Sequence, residues 1–253
     1  MRKYEVSVPR LIRHWTTRLL SRNGEARSRL TTGTTATNSI GRDIRTSVTM
    51  LGRQIVCTAL IGQMRRKGNV CIPLGVTNKF WEAKARSDGE LPSMAKRNLA
   101  WSFAGCLNSS ARAQMLTELK GFGPAKVRLL RDWGQTANDP LSGDAYVAWL
   151  RQSRFVPCPM GWFNVESFRW VEAIEAGAIP VLVRGSICQP FDCFAYLGEN
   201  PLPIFDGWAV AARWMKENAI RRSLEELSGA IAAWWSDYKR QMVSLLTEQR
   251  SGA

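Results

Sequence analysis

The 253-residue chain lacks several residue combinations on which common enzyme chemistries depend. It has one histidine, His14, so a zinc site with two imidazole ligands is excluded, and a Ser-His-Asp triad would have to recruit this residue from a basic N-terminal stretch. Its six cysteines form no C-x-x-C pair, which argues against a zinc-binding cysteine cluster. The cysteines are therefore predicted to be buried thiols in a reducing compartment.

Long apolar runs are missing as well. No run of eighteen apolar residues occurs, so the sequence predicts no membrane span and no secretory signal. What is present, 45% hydrophobic and 22% charged residues, is typical of a globular protein and excludes a disordered tail, a collagen or a coiled coil.

Positive charge is concentrated at the start of the chain. The net charge is +14; residues 1–70 hold fourteen basic and three acidic residues, whereas residues 146–253 hold eleven of each. Residues 1–50 are rich in Ser, Thr, Gly and Arg and show no helical or alternating period, so we predict a basic leader that is poorly ordered or loosely docked. Such a composition is also typical of an organelle transit peptide, although Glu5 and Glu25 weaken that alternative.

From residue 69 onward, apolar runs of strand length alternate with segments of helical period. The predicted strands are residues 69–75, 99–107, 126–131, 154–157 and 179–183, and the predicted helices are residues 110–119, 142–152, 167–176, 204–218 and 220–249. This alternation predicts an α/β fold, a doubly wound parallel sheet with helices on both faces. Most tryptophans lie at helical spacing and are predicted to pack in the core.

The strongest candidate for a binding site follows the strand at 154–157. There the chain enters a helix at about Ser167, and the unpaired amides and dipole at such a helix start suit a diphosphate. Arg169 lies in the first turn, where its guanidinium can contact phosphate oxygens. Glu172 lies on the same face, where its carboxylate can accept hydrogen bonds from ribose hydroxyls. The same two residues could instead form an ion pair on an exposed helix surface.

The loop before this helix contributes two further candidates. Gly161 allows the chain to turn after the strand, and Trp162 could stack on a sugar ring.

These residues form part of a longer pattern that resembles a known family. The elements of the pattern are Cys158-Pro159, Gly161, Ser167-Phe168-Arg169, Glu172-Ala173, Gly177 and Ile179-Pro180-Val181. In this order and spacing they resemble the C-terminal motif of the exostosin family, glycosyltransferase family 47. Looser matches extend the resemblance over about residues 70–250, and within the family they are more similar to the ribitol xylosyltransferase branch. These matches are Pro73-Leu74-Gly75, Arg97, Phe103-Ala104-Gly105, Arg112, Trp208 and Trp234-Trp235.

The resemblance implies the C-terminal, Rossmann-like half of a GT-B glycosyltransferase, which binds a nucleotide sugar, usually a UDP-sugar, without an obligatory metal. By position, Arg169 and Arg112 would neutralise the diphosphate and Glu172 would hold the ribose. The remaining donor-site residues would be Gly161, Trp162, Ser167 and Phe168. In this fold the general base usually comes from the N-terminal domain, and residues 1–70 are too short for one, so no catalytic base is identified.

The resemblance also sets expectations for organisation and partners. The expected domains are the leader 1–50 and a donor-binding domain 51–253, with its best-matched core at 97–219 and a terminal helix at 220–249. The expected partners are a nucleotide sugar, a glycan acceptor, and a missing N-terminal half or partner chain. An inactive, truncated paralogue is the alternative within the same family. The chain as it stands is expected in the cytoplasm, or at the Golgi membrane if it is a fragment of a longer anchored enzyme.

A different function is suggested by residues 116–130, LTELKGFGPAKVRLL, which resemble a helix-hairpin-helix. In that motif a Gly-x-Gly turn, here Gly121 to Gly123, presents backbone amides to a DNA phosphate. With Lys126 and Arg128 nearby and a basic N-terminus, nucleic-acid binding is the alternative hypothesis. The two hypotheses differ at residues 125–131, which would be helical in the hairpin and extended in the transferase.

Overall fold

The computed structural model describes residues 32–33, 47–50, 53–57, 70–73, 75–87, 89–107, 109–130, 141–160, 167–184, 192–221 and 223–248. The chain divides into two compact units, one of residues 73–238 and the other of residues 1–72 together with 239–253. Within the predicted leader 1–50, only two short strands are described, and His14 lies outside the described residues.

Strands before residue 73 form a four-stranded sheet. They are β1 (Thr32–Gly33), β2 (Ser47–Met50), β3 (Arg53–Cys57) and β4 (Val70–Ile72), in that order. The first two pairings are antiparallel, and β4 pairs with β3 in parallel, with Val70 opposite Ile55. The sequence places β4 at the start of the α/β domain, but its pairing with β3 puts it in this separate sheet.

A five-stranded parallel sheet forms the centre of residues 73–238. Its strands are β5 (Leu99–Cys106), β6 (Ala125–Leu130), β7 (Ser153–Cys158), β8 (Ile179–Val183) and β9 (Ile204–Phe205). They lie in the order β6-β5-β7-β8-β9, and every neighbouring pair is parallel. This sheet and the helices that flank it confirm the predicted Rossmann-like, doubly wound α/β fold.

The described residues include six α-helices. They are α1 (Asn78–Arg86), α2 (Ser110–Glu118), α3 (Gly143–Gln152), α4 (Arg169–Glu175), α5 (Trp208–Asn218) and α6 (Ser223–Glu248). The sequence prediction missed α1. It also assigned residues 204–205 to a helix, but they pair with β8 as strand β9, and α5 begins at Trp208.

The path of the chain reverses direction between β5 and β7. From β5 the chain passes through α2 to β6 on one side, and from β7 it passes through α4 to β8 on the other. In open α/β sheets, ligands bind in the crevice at the carboxyl ends of the strands where the strand order reverses in this way. The topology therefore predicts a ligand site at the carboxyl ends of β5 and β7.

The sheet is the hydrophobic core of this unit. All eight residues of β5 and all five of β8 are buried. Trp170, Trp208 and Trp235 are buried too, which confirms the predicted packing role of these tryptophans.

Strand β6 decides against the helix-hairpin-helix. Residues 125–130 are extended and pair in parallel with β5, from Ala125 opposite Trp101 to Leu130 opposite Cys106. The amide of Ala100 also donates to the carbonyl oxygen of Pro124 at 2.7 Å, which fixes the strand at its start. The hairpin hypothesis requires a helix at these residues, so it is wrong. The predicted strand is confirmed.

Cysteines of two chemical states occur among the residues that the structure describes. Cys106 and Cys158 are free and buried, as predicted, and burial raises the pKa of the Cys158 thiol to about 12. Cys193 is disulfide-bonded. The prediction that all the cysteines are thiols is therefore wrong.

Arg97 ties together four segments around the start of the sheet. Its side chain is 2% exposed, and its guanidinium donates hydrogen bonds to the carbonyl oxygens of Pro92, Leu150, Ser153 and Ala176. Burial lowers the pKa of this guanidinium to about 10, so it stays cationic at neutral pH. The carbonyl oxygens are its hydrogen-bond partners, and the charge of Glu225 offsets part of the effect of burial on the pKa.

Gly177 lies between α4 and β8, next to the side chain of Arg97. Its φ is +71°, and a Cβ there would lie 2.7 Å from Nη2 of Arg97 and 2.8 Å from Cδ1 of Leu91. We expect Gly177→Ala to lower the free energy of unfolding by about 1–3 kcal/mol, because a left-handed backbone and a crowded Cβ both destabilise the fold. Urea denaturation followed by tryptophan fluorescence measures the change.

The matched control is Gly121→Ala. Gly121 has a similar φ of +74°, but a Cβ there would meet no atom within 4 Å. This variant should lose only the backbone contribution, about 1–2 kcal/mol. Equal losses in the two variants would contradict the crowding around Arg97.

Candidate functional site

Two buried arginines cross between the carboxyl ends of β5 and β7. Arg112, the third residue of α2, donates from Nη1 to the carbonyl oxygen of Cys106 at 2.7 Å and from Nε to that of Met160 at 3.4 Å. Arg169, the first residue of α4, donates from Nη2 to the carbonyl oxygen of Ala104 in β5. Each guanidinium therefore contacts the end of the neighbouring strand or the loop that follows it.

These two positive charges are close enough to affect each other. Burial, and to a smaller extent the charge of Arg169, lower the pKa of Arg112 to about 10. Among the residues that the structure describes, neither arginine forms an ion pair with a carboxylate. A buried charge without a counter-ion is unfavourable, so this pair of cations would be stabilised by an anion.

Four of the buried polar atoms that have no hydrogen-bond partner in the described part of the chain belong to residues that follow β5 and β7. They are Nε and Nη1 of Arg169, Oγ of Ser109 before α2, and Oγ of Ser167 before α4. Buried polar groups nearly always have partners, so donors left open together indicate a place for a polar ligand.

The guanidinium of Arg169 is held against β5 by specific contacts. Its Cζ lies 4.5 Å from the centroid of the Phe103 ring, close enough for a cation–π interaction. A Cβ at Gly105 would lie 2.9 Å from Nη2, so glycine at this position leaves room for the arginine. In this three-residue stretch, Phe103 supplies the ring that the guanidinium contacts, Ala104 supplies the carbonyl oxygen that accepts its hydrogen bond, and Gly105 leaves the space that it occupies.

Glu172 is also buried, with 3% exposure, and its carboxylate accepts three hydrogen bonds. Oε1 accepts the amide of Thr77 at 3.0 Å and its hydroxyl at 2.7 Å, and Oε2 accepts the hydroxyl of Tyr146 at 2.9 Å. Burial, together with the charge of Glu172, raises the pKa of Tyr146 well above its usual value, so the hydroxyl keeps its proton at neutral pH. The carboxylate thereby joins α4 to α3 and to the N-cap of α1.

The structure places the predicted site residues as follows. Arg112, Arg169 and Ser167 lie at the ends of β5 and β7, Glu172 lies in the first turn of α4, and half-buried Phe168 precedes that helix. Gly161 and Trp162 lie outside the described residues. The alternative of an exposed Arg169–Glu172 ion pair is wrong, because both side chains are buried and have other partners.

Sequence reasoning missed three residues here: Thr77, Tyr146, and Ser109 with its unpartnered hydroxyl. Thr77 precedes a helix that the sequence did not predict, and Tyr146 was predicted only as part of the helix at 142–152. A polar residue just before a predicted helix, as at Ser109, is the one signal that could have been used.

Two further findings bear on the class of protein. Within the described ranges, no group of three or more His, Cys, Asp or Glu residues could hold a metal ion. None of the helices that the structure describes is long and apolar enough to cross a membrane.

A doubly wound parallel sheet with two buried arginines at its switch point has the architecture of domains that bind phosphorylated ligands. The model of the family RXYLT1 C-terminal domain matches residues 84–249, and the chain belongs to this family. The match confirms the exostosin-like resemblance and its ribitol xylosyltransferase flavour.

The chain is also similar to a protein of Arabidopsis thaliana described as a probable glycosyltransferase. The two are 36% identical over 75 residues, which cover 27% of this chain and 14% of the relative. The chain thus matches a small part of that relative's length.

Proposed function

We propose that this chain is the donor-binding, C-terminal half of a GT-B glycosyltransferase that uses a nucleotide-diphosphate sugar, of the UDP-sugar class. The observation that carries the proposal is the pair of buried guanidiniums, Arg112 and Arg169, with no carboxylate partner among the described residues. A diphosphate supplies negative charge beside these two cations, and one guanidinium can bind two of its oxygens at once. Membership of the family and the printed description of the Arabidopsis relative support glycosyl transfer.

In this proposal the arginines act on the leaving group. As the bond between the anomeric carbon and the diphosphate breaks, negative charge grows on the phosphate oxygens. Arg169, with two open donor nitrogens, and Arg112 beside it stabilise that charge without reorganising at the moment of reaction. The hydroxyl of Ser167 donates to the same phosphate group.

Glu172 is proposed to orient the ribose. A carboxylate has about four acceptor positions, and Thr77 and Tyr146 occupy three of them, which fixes the direction of the fourth. A ribose hydroxyl at that position would be held at a set distance from the diphosphate. Trp162 is proposed to contact the sugar ring, and Gly161 and Phe168 to shape the loop and helix start around it.

The acceptor side of the reaction is proposed to come from elsewhere. A glycan hydroxyl that attacks the anomeric carbon needs a general base on the face opposite the leaving group. We assign that base and the acceptor site to a second Rossmann-like half, on the same polypeptide or on a partner chain. The bonded Cys193 supports an oxidising compartment, and we propose the Golgi lumen.

Isothermal titration calorimetry of the full chain with UDP tests the proposal. We expect saturable binding, and we expect Glu172→Gln to weaken it about tenfold, because hydrogen bonds to a charged acceptor are stronger than those to an amide. Arg86→Ala, which changes an exposed arginine paired with Asp144, is the control and should bind as the wild type does. Wild-type protein without saturable binding of UDP or a UDP-sugar would contradict the proposal.

Transfer is a separate measurement. The chain is mixed with UDP-sugars and a glycan acceptor, and released UDP is counted. Binding without release of UDP would favour a donor-binding half that needs its partner, or the inactive paralogue.

A further inference from the structure

The start of α2 carries a serine that does not cap its helix. Ser109 has the extended backbone of an N-cap residue, with φ −147° and ψ 152°, but its side chain makes no capping hydrogen bond. A serine at this position usually accepts the amide hydrogen of the second or third helical residue. Its hydroxyl is buried and has no partner among the described residues.

A second serine shows the usual behaviour. Ser142 precedes α3 and accepts the amide of Ala145 at 3.1 Å. Both serines have extended backbones at the starts of helices of similar length, but only Ser142 uses its hydroxyl for the helix. Ser109 lies at the carboxyl end of β5, beside the reversal of strand order.

An independent feature of the same crevice points to an anion. Arg169 is 8% exposed, its Nη2 is fixed on Ala104, two residues before the end of β5, and its Nε and Nη1 have no described partner. Arg112, in the first turn of α2, adds a second cation. The first amides of a helix also lack partners within the helix, so the start of α2 adds amide donors next to the hydroxyl of Ser109.

We infer that the N-terminus of α2 holds one phosphoryl group of the diphosphate, with the hydroxyl of Ser109 and the amides of Ser110 and Ala111 as donors. The second phosphoryl group lies between Arg169 and Ser167, so the diphosphate spans the ends of β5 and β7. This inference rests on the proposed donor site and adds Ser109 to it. It assigns recognition of the diphosphate to two helix starts rather than to α4 alone.

Calorimetry of the full chain with UDP and with inorganic pyrophosphate tests the inference. We expect Ser109→Ala to weaken both ligands about tenfold, because a hydrogen bond to a charged phosphate oxygen is lost. The thermal midpoint without ligand should stay close to the wild-type value, because no capping bond is removed. Ser109→Thr keeps the hydroxyl and should bind within about twofold of wild type.

Ser142→Ala is the matched control. It removes a real capping bond, so it should lower the thermal midpoint while leaving the affinity for UDP unchanged. Opposite effects of the two serine variants are the signature of a ligand role at Ser109. Should Ser109→Ala fail to fold, Ser109→Gly, which suits the N-cap position, takes its place.

The outcomes separate this inference from the proposed function. If wild type binds UDP and Ser109→Ala binds it equally well, the inference is overturned and the donor site stands. If pyrophosphate binds in a Ser109-dependent way but UDP binds no tighter, the phosphate site stands and the nucleotide assignment fails. If neither ligand binds, both are overturned.

Discussion

Arg169→Ala is expected to reduce the affinity for UDP at least about a hundredfold, because it removes two buried donors that are each worth about 1.5–3 kcal/mol toward a charged acceptor. The domain should remain folded. The described contacts of Arg169 are one carbonyl oxygen and the Phe103 ring, and its removal relieves repulsion with Arg112. Calorimetry measures the affinity, and urea denaturation of the same sample measures stability.

Arg169→Lys sharpens this test. Lysine keeps the charge but not the planar fork of donors, so it should recover only part of the affinity. Arg86→Ala should bind UDP like the wild type. If Arg169→Ala binds UDP normally, or if it unfolds, Arg169 is a structural residue and the proposed donor site loses its main support.

Arg97→Met is expected to have the largest effect on stability, a loss of at least about 3 kcal/mol in the free energy of unfolding. Methionine replaces the aliphatic stem of the arginine but has no guanidinium, so it leaves the carbonyl oxygens of Pro92, Leu150, Ser153 and Ala176 without their shared donor. Each of these oxygens belongs to a different segment, so the loss falls on the packing of the whole unit. The urea midpoint and slope measured by tryptophan fluorescence give the change.

Arg86→Met provides the contrast for Arg97→Met. Arg86 pairs with Asp144 on the surface, where both side chains are more than half exposed. Such a pair contributes less than about 1 kcal/mol, so this variant should resemble the wild type. Comparable losses of unfolding free energy in the two methionine variants would contradict the stabilising role given to the buried hydrogen bonds of Arg97.

The order of the strands was predictable only in part. Apolar runs located β5, β7 and β8, because a strand buried on both faces needs nearly continuous apolar residues. The adjacency of β5 and β7 was not visible, since α2, β6 and α3 separate them in sequence. Strand β9 is two residues long and was hidden in a run of helical period, and α1 was missed although Thr77 caps it through the amide of Phe80.

The candidate site was also predictable only in part. The spacing of Arg169 and Glu172 near a helix start was visible in the sequence, and their burial was not. Thr77 contacts Glu172 across 95 positions in the sequence, a separation that no local pattern records. The hydroxyl of Ser109 is left open because the capping bond that a serine before a helix usually makes is not formed. Contacts between distant elements therefore account for what the sequence left out.

Helix α1 limits how short a working fragment of this protein can be. A fragment that starts at residue 84, where the family match begins, would keep only the end of α1 and lose Phe80 and Ala83, which are fully buried. It would also lose Thr77, leaving Tyr146 as the described donor to the Glu172 carboxylate. Because the amide of Thr77 requires a preceding residue, the smallest piece in which that carboxylate keeps its three hydrogen bonds begins no later than Val76, ahead of residue 84, where the family match begins.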